Sequence, residues 1–100
     1  MRGNSDAVRK LLERLRDRGA FPERPTIRRF EVQADNDYSG DPAYYITVLL
    51  DDATPEEDLV REKTRAIEDL IFEKLYHGPE DRWPYVRTIR ESERYLTVDE

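Results

Sequence analysis

The run Asp35-Asn36-Asp37-Tyr38-Ser39-Gly40-Asp41 has the spacing of a calcium loop over its first half: Asp35, Asp37, Ser39, Gly40 and Asp41 fall at positions one, three, five, six and seven. Hard cations take oxygen ligands so arranged, and a glycine at six allows the sharp turn. Position twelve, where a bidentate glutamate closes the shell, is Ile46, and Pro42 and a strand-like run follow in place of a helix. The same residues suit a polar hairpin loop, with Gly and Asp supplying turn geometry. Asp35, Asp37, Ser39 and Asp41 thus form an incomplete metal site, and a divalent-cation-binding regulatory domain is one alternative for the chain.

His77 is the single histidine, four residues after Glu73 and near Glu80 and Asp81. Two neighbouring ligands make a poor metal site, and a histidine at a helix end also interacts with the last carbonyls. Carboxylate pairs are frequent (Asp51-Asp52, Glu56-Glu57-Asp58, Glu68-Asp69). Acid–base catalysis needs two carboxyls held in different environments of one cleft, whereas these fall at a strand end, a helix start and a solvated helix face. No nucleophile elbow, phosphate-binding glycine loop or zincin motif occurs. The expectation is a protein without catalytic residues or cofactor.

Basic residues gather early. Residues 1–30 hold nine Lys or Arg and four Asp or Glu, a net +5, while residues 31–100 hold eight and nineteen, a net −11. An acidic body repels phosphate and favours basic partners. Arg9, Lys10, Arg14, Arg16, Arg28 and Arg29 could still contact nucleic acid, the second alternative. The G-x-x-G clamp of KH modules is missing, and Glu13 and Asp17 interrupt the arginines as on a solvated helix face. Aromatics beyond the needs of a core are enriched in protein interfaces. Phe72 and Tyr76 are four apart and off the main apolar stripe, Trp83 and Tyr85 flank a proline, and Tyr45 and Leu49 lie on the second face of an apolar strand. These six residues are the candidate protein interface.

The elements that must position these groups follow from periodicity. Val8, Leu11, Leu12 and Leu15 make an apolar stripe over residues 5–18, with Gly19 placed as a C-cap. Residues 26–34 alternate as a strand with Phe30, Val32 and Ala34 on one side. Residues 43–50 are apolar on both faces and suit a central strand, joined to the first by a polar hairpin loop. Residues 54–77 read as one long helix, with Thr54 as N-cap, Pro55 in the first turn and Glu57 closing a capping box. Residues 83–89 form a third strand, and residues 92–98 suit a short fourth strand, a helical turn or a docked end.

The order α-β-β-α-β in one domain, 1–100, predicts an α+β two-layer sandwich: a small, mostly antiparallel sheet with both helices on one face. The chain is 37% hydrophobic and 40% charged, with no cysteine. Disulfides and thiol chemistry are thereby excluded. No run reaches membrane-spanning length, and the N-terminus lacks a signal-peptide core. A cytoplasmic location is expected.

The patches Tyr38-Ser39-Gly40-Asp41-Pro42-Ala43 and Arg82-Trp83-Pro84-Tyr85-Val86-Arg87 resemble segments of small bacterial proteins of similar length. Such proteins often resemble one half of a two-gene module, which implies an antitoxin-like partner role and transfers no functional residue. The element order is also similar to the cytoplasmic domain of cation diffusion facilitators, an analogy of fold alone given the single His77. Together these readings predict a non-enzymatic interaction subunit that self-associates, binds a dedicated protein partner, or both.

Overall fold

A computed structural model of the chain describes residues 5–76 and 82–95. The first apolar stripe forms α1, Ser5–Asp17, and buries Val8, Leu12 and Leu15. Its end is set by Gly19, whose φ of 77° lies in the left-handed region. The Gly19 N–H donates to Arg16 O at 3.0 Å and the Ala20 N–H to Leu15 O at 2.9 Å, the double closure of a Schellman cap.

Two strands, β1 (Ile27–Asn36) and β2 (Pro42–Leu50), pair as an antiparallel hairpin. Both are longer than periodicity predicts, so the loop shrinks to residues 37–41 and Asp35 lies within β1. The register slips between Ile27 and Arg29, leaving Arg28 as the extra residue. After β2 come a 3-10 turn, Glu56–Leu59, and α2, Arg61–Tyr76. Strand β3 (Trp83–Arg90) then lies beside β2 in parallel. The reason is geometric: α2 is about 24 Å long and carries the chain back to the end of the sheet where β2 began. The sheet is therefore mixed, ordered β1-β2-β3, with the doubly apolar β2 at its centre as expected.

Alternation divides the sheet into two faces. Phe30, Tyr44, Ile46, Val48 and Leu50 point towards the helices and form one cluster with Val8, Leu12 and Leu15 of α1 and Ile67, Ile71 and Leu75 of α2. Each large side chain so buried contributes roughly 1.5–3 kcal/mol. Helix α1 packs on β1 and α2 on β3. The α+β two-layer order α-β-β-α-β, with both helices on one face, is thus present.

Two expectations are corrected. The sheet is mixed rather than mostly antiparallel, because β3 runs parallel to β2. The helix predicted over 54–77 is interrupted: Val60 is extended, with φ −66° and ψ 150°, between the 3-10 turn and α2. The capping box does not form, because the Thr54 hydroxyl donates to Asp51 O, and Pro55 precedes the 3-10 turn without a side-chain cap. The break places Asp58 inward, 2% exposed. Its Oδ2 accepts from Arg24 Nε (3.1 Å) and Nη2 (2.9 Å), and its Oδ1 from Lys63 Nζ (2.7 Å). Of the forms expected for the tail, a helical turn is present, the 3-10 turn Glu91–Tyr95, and no fourth strand occurs among the described residues.

Candidate interaction surface

The sheet face turned away from the helices is a grid of side chains fixed by the register. Gln33, Tyr45 and Tyr85 stand in one row across the three strands, and Glu31, Thr47 and Arg87 in the next. These six line an open depression of about 440 Å³. Tyr45 and Tyr85 stack with centroids 5.3 Å apart and planes 13° apart, and stay 39% and 38% exposed. Arg87 Nε donates to Thr47 Oγ1 at 3.2 Å, and Arg29 Nη1 donates to Glu31 Oε2 at 3.2 Å. Charged and polar side chains thus flank the stacked tyrosines on this face.

The hairpin loop fixes one edge of this surface. Asp37 Oδ1 accepts the N–H groups of Ser39 (2.9 Å) and Asp41 (3.0 Å), while Oδ2 accepts the Tyr85 hydroxyl at 3.0 Å. The Asp41 N–H and then the Tyr85 hydroxyl hold the Asp37 carboxyl below its usual range, and the Asp37 carboxylate in turn raises the Tyr85 phenol. The acidic loop thus orients the Tyr85 ring. Asp35 Oδ1 accepts the Asn36 N–H at 2.8 Å. Asp35, Asp37, Ser39 and Asp41 do not converge on one point, and no group of three metal-ligating side chains occurs among the described residues. His77, Glu80 and Asp81 lie outside the described residues.

A second aromatic group forms where α2 meets the start of β3. Phe72 and Tyr76 stack at 5.2 Å, and Trp83 meets both edge-on, at 5.1 and 5.8 Å. Tyr76 and Trp83 remain 53% and 48% exposed. Behind them Arg82 lies 5.6 Å from the Tyr44 ring centroid, and its Nη1 donates to the carbonyls of Asp35 and Ala43, each at 3.1 Å. Trp83 and Tyr85 are two apart on edge strand β3, but Trp83 packs on α2, whereas Tyr85 packs on Tyr45 on the face turned away from the helices.

Of the six expected interface residues, Tyr45, Tyr76, Trp83 and Tyr85 are exposed, Phe72 is half-buried and Leu49 is buried. It points to the open face, yet it is fully buried and does not reach the surface. The tail turn packs against β2 and β3 at this end. It is tied by Arg29 Nε to Glu91 Oε2 (2.9 Å) and by the Ser92 N–H to Asp52 Oδ1 (2.8 Å). Alternation gave Leu49 the correct face, but nothing local to β2 reveals a cover that comes from forty residues later.

The basic residues do not make one surface. Arg9 bonds Asp6 and Glu13, while Arg16 bonds Asp17 and Arg28 O. Arg28 pairs with Asp51 and Glu91, and Arg29 with Glu31 and Glu91. Lys10 and Arg14 are exposed on α1, whereas Arg29 lies on the opposite side of the sheet. Most of this charge is spent on neighbouring carboxylates, which leaves less to meet phosphate.

Among the described residues no helix is long and apolar enough to cross a membrane. Comparison with protein-family models, curated proteins and solved structures finds no match.

Proposed function

We propose that this chain is a non-enzymatic interaction subunit of the cytoplasm, antitoxin-like in the sense of being one half of a protein pair, which docks protein through its aromatic surface. The observation that carries the reading is the pair of exposed ring groups, Tyr76 with Trp83 beside α2 and Tyr45 with Tyr85 on the open sheet face. Each is held by ring stacking, an edge-on contact or a hydrogen bond to Asp37. Such rings lose little conformational freedom on binding, and aromatic anchors dominate the energy of protein interfaces.

Affinity capture of the tagged chain from its native host tests this, run beside a Tyr76→Ser/Trp83→Ser variant whose fold is checked by circular dichroism. The expected result is a protein retained in stoichiometric amount by the native chain and lost from the folded variant. Equal retention by both would contradict the assignment of this surface, and a native chain that retains nothing and stays monomeric would contradict the function.

A further inference from the structure

We infer that the open sheet face docks a second copy of this chain about a two-fold axis running along β2; this rests on the reading of the chain as an interaction subunit. Glu31 on β1 and Arg87 on β3 flank Thr47 on β2 at one level of the sheet. The row is therefore acidic at one end and basic at the other. A two-fold axis parallel to β2, midway between two facing sheets, places β1 of each copy over β3 of the other. Glu31 then meets the second copy's Arg87, and Arg87 its Glu31, while Thr47 and Tyr45 meet their own images. In the next row Gln33 meets Tyr85. No other rotation that stacks the sheets in register does this: an axis across the strands at this level would set Glu31 on Glu31 and Arg87 on Arg87.

Dimensions permit the contact. Stacked sheets lie about 10 Å apart, within reach of an Arg and a Glu extended towards each other. Aligned sheets cross at about 30°, and with strands about 4.8 Å from the axis the crossing shifts facing residues by roughly 2–3 Å. With the axis along β2 the Glu91–Tyr95 turns of the two copies come face to face at the Leu49 end, so the sheets splay apart there and contact centres on the rows of Tyr45 and Thr47. Three strands about 20 Å long present roughly 300 Å², well under the about 800 Å² per partner of a stable complex. The pair is accordingly weak and concentration-dependent, and salt loosens it.

Sedimentation equilibrium over a concentration series reaching about 1 mM, well above the affinity expected of so small a contact, tests the pairing with E31R, R87E, the double variant E31R/R87E, and an equimolar mixture of the two single variants. Each single reversal sets like charges opposite one another twice and weakens association roughly tenfold or more. The double variant restores both pairs, and the mixture forms a heterodimer, since all charges opposite are again unlike. Thr47→Lys, on the axis, weakens association without touching Glu31. It carries the test with R87E if circular dichroism shows E31R misfolded beside Arg29. A native dimer indifferent to these substitutions overturns this face while leaving the chain an interaction subunit. A native chain monomeric throughout overturns the self-association, and the capture experiment then decides the broader function separately.

Discussion

Leu49 and Tyr45 leave β2 on the same side, four residues apart, and the structure gives them opposite roles. Leu49 is fully buried at the end of the sheet where the tail turn packs, whereas Tyr45 is 39% exposed and stacked on Tyr85. Leu49→Ala removes three carbons from a fully buried site, which costs about 2–5 kcal/mol. A domain of this size loses about 4–8 °C of melting temperature per kcal/mol, so the expected drop is roughly 10–40 °C. Tyr45→Ser forfeits one ring pair and part of its burial, about 1–2 kcal/mol. Thermal melts followed by far-UV circular dichroism in one buffer compare the two directly. Leu49→Ala is expected to be clearly the less stable, while Tyr45→Ser stays folded and lowers association. If Tyr45→Ser melts first, or the two melt together, the division of this face into a covered end and a docking end is wrong.

Three further outcomes follow from the same contacts. Lys63 and then Arg24 depress the Asp58 carboxyl, and the loop N–H of Asp41 and the Tyr85 hydroxyl depress that of Asp37. A carboxyl with a lowered folded-state pKa stabilises the fold above its unfolded pKa, and that stability is lost as pH falls through the folded value. Acid unfolding is therefore expected below about pH 4, and Asp58→Asn should flatten the acid limb of a stability–pH curve while lowering stability at neutral pH. Gly19→Ala forces a Cβ into the left-handed region and should cost about 1–2 kcal/mol in urea unfolding. Asp37→Ala removes the acceptor of the Tyr85 hydroxyl; the Tyr85 phenol should then titrate nearer its ordinary value in an ultraviolet absorbance titration.

Periodicity made the layers legible, because burial of a stripe is a local property of spacing. Val8, Leu12 and Leu15 recur at helical intervals, Phe30 and Ile46 alternate, and all meet in one cluster. The ends of elements were less legible. A proline after Thr54 with Glu57 following satisfies every local rule for a helix start, yet Asp58 is drawn inward by Arg24, a residue from a distant linker. The direction of β3 was equally hidden, since it depends on where α2 delivers the chain. At the site, Tyr45, Phe72, Tyr76, Trp83 and Tyr85 were legible as aromatics in excess of the core. The support given by Asp37 to Tyr85 was not, because that hydrogen bond spans 48 positions. The loop acids have the spacing of cation ligands, whereas in the fold Asp37 closes the turn and holds the Tyr85 hydroxyl.

The chain has a single tryptophan, Trp83, half exposed and packed on Phe72 and Tyr76. Its emission and its quenching by acrylamide, measured on the free chain and on the complex recovered from the host, report on docking without any substitution. A blue-shifted emission and reduced quenching in the complex are expected. A complex in which Trp83 stays as accessible as in the free chain would contradict docking through these rings.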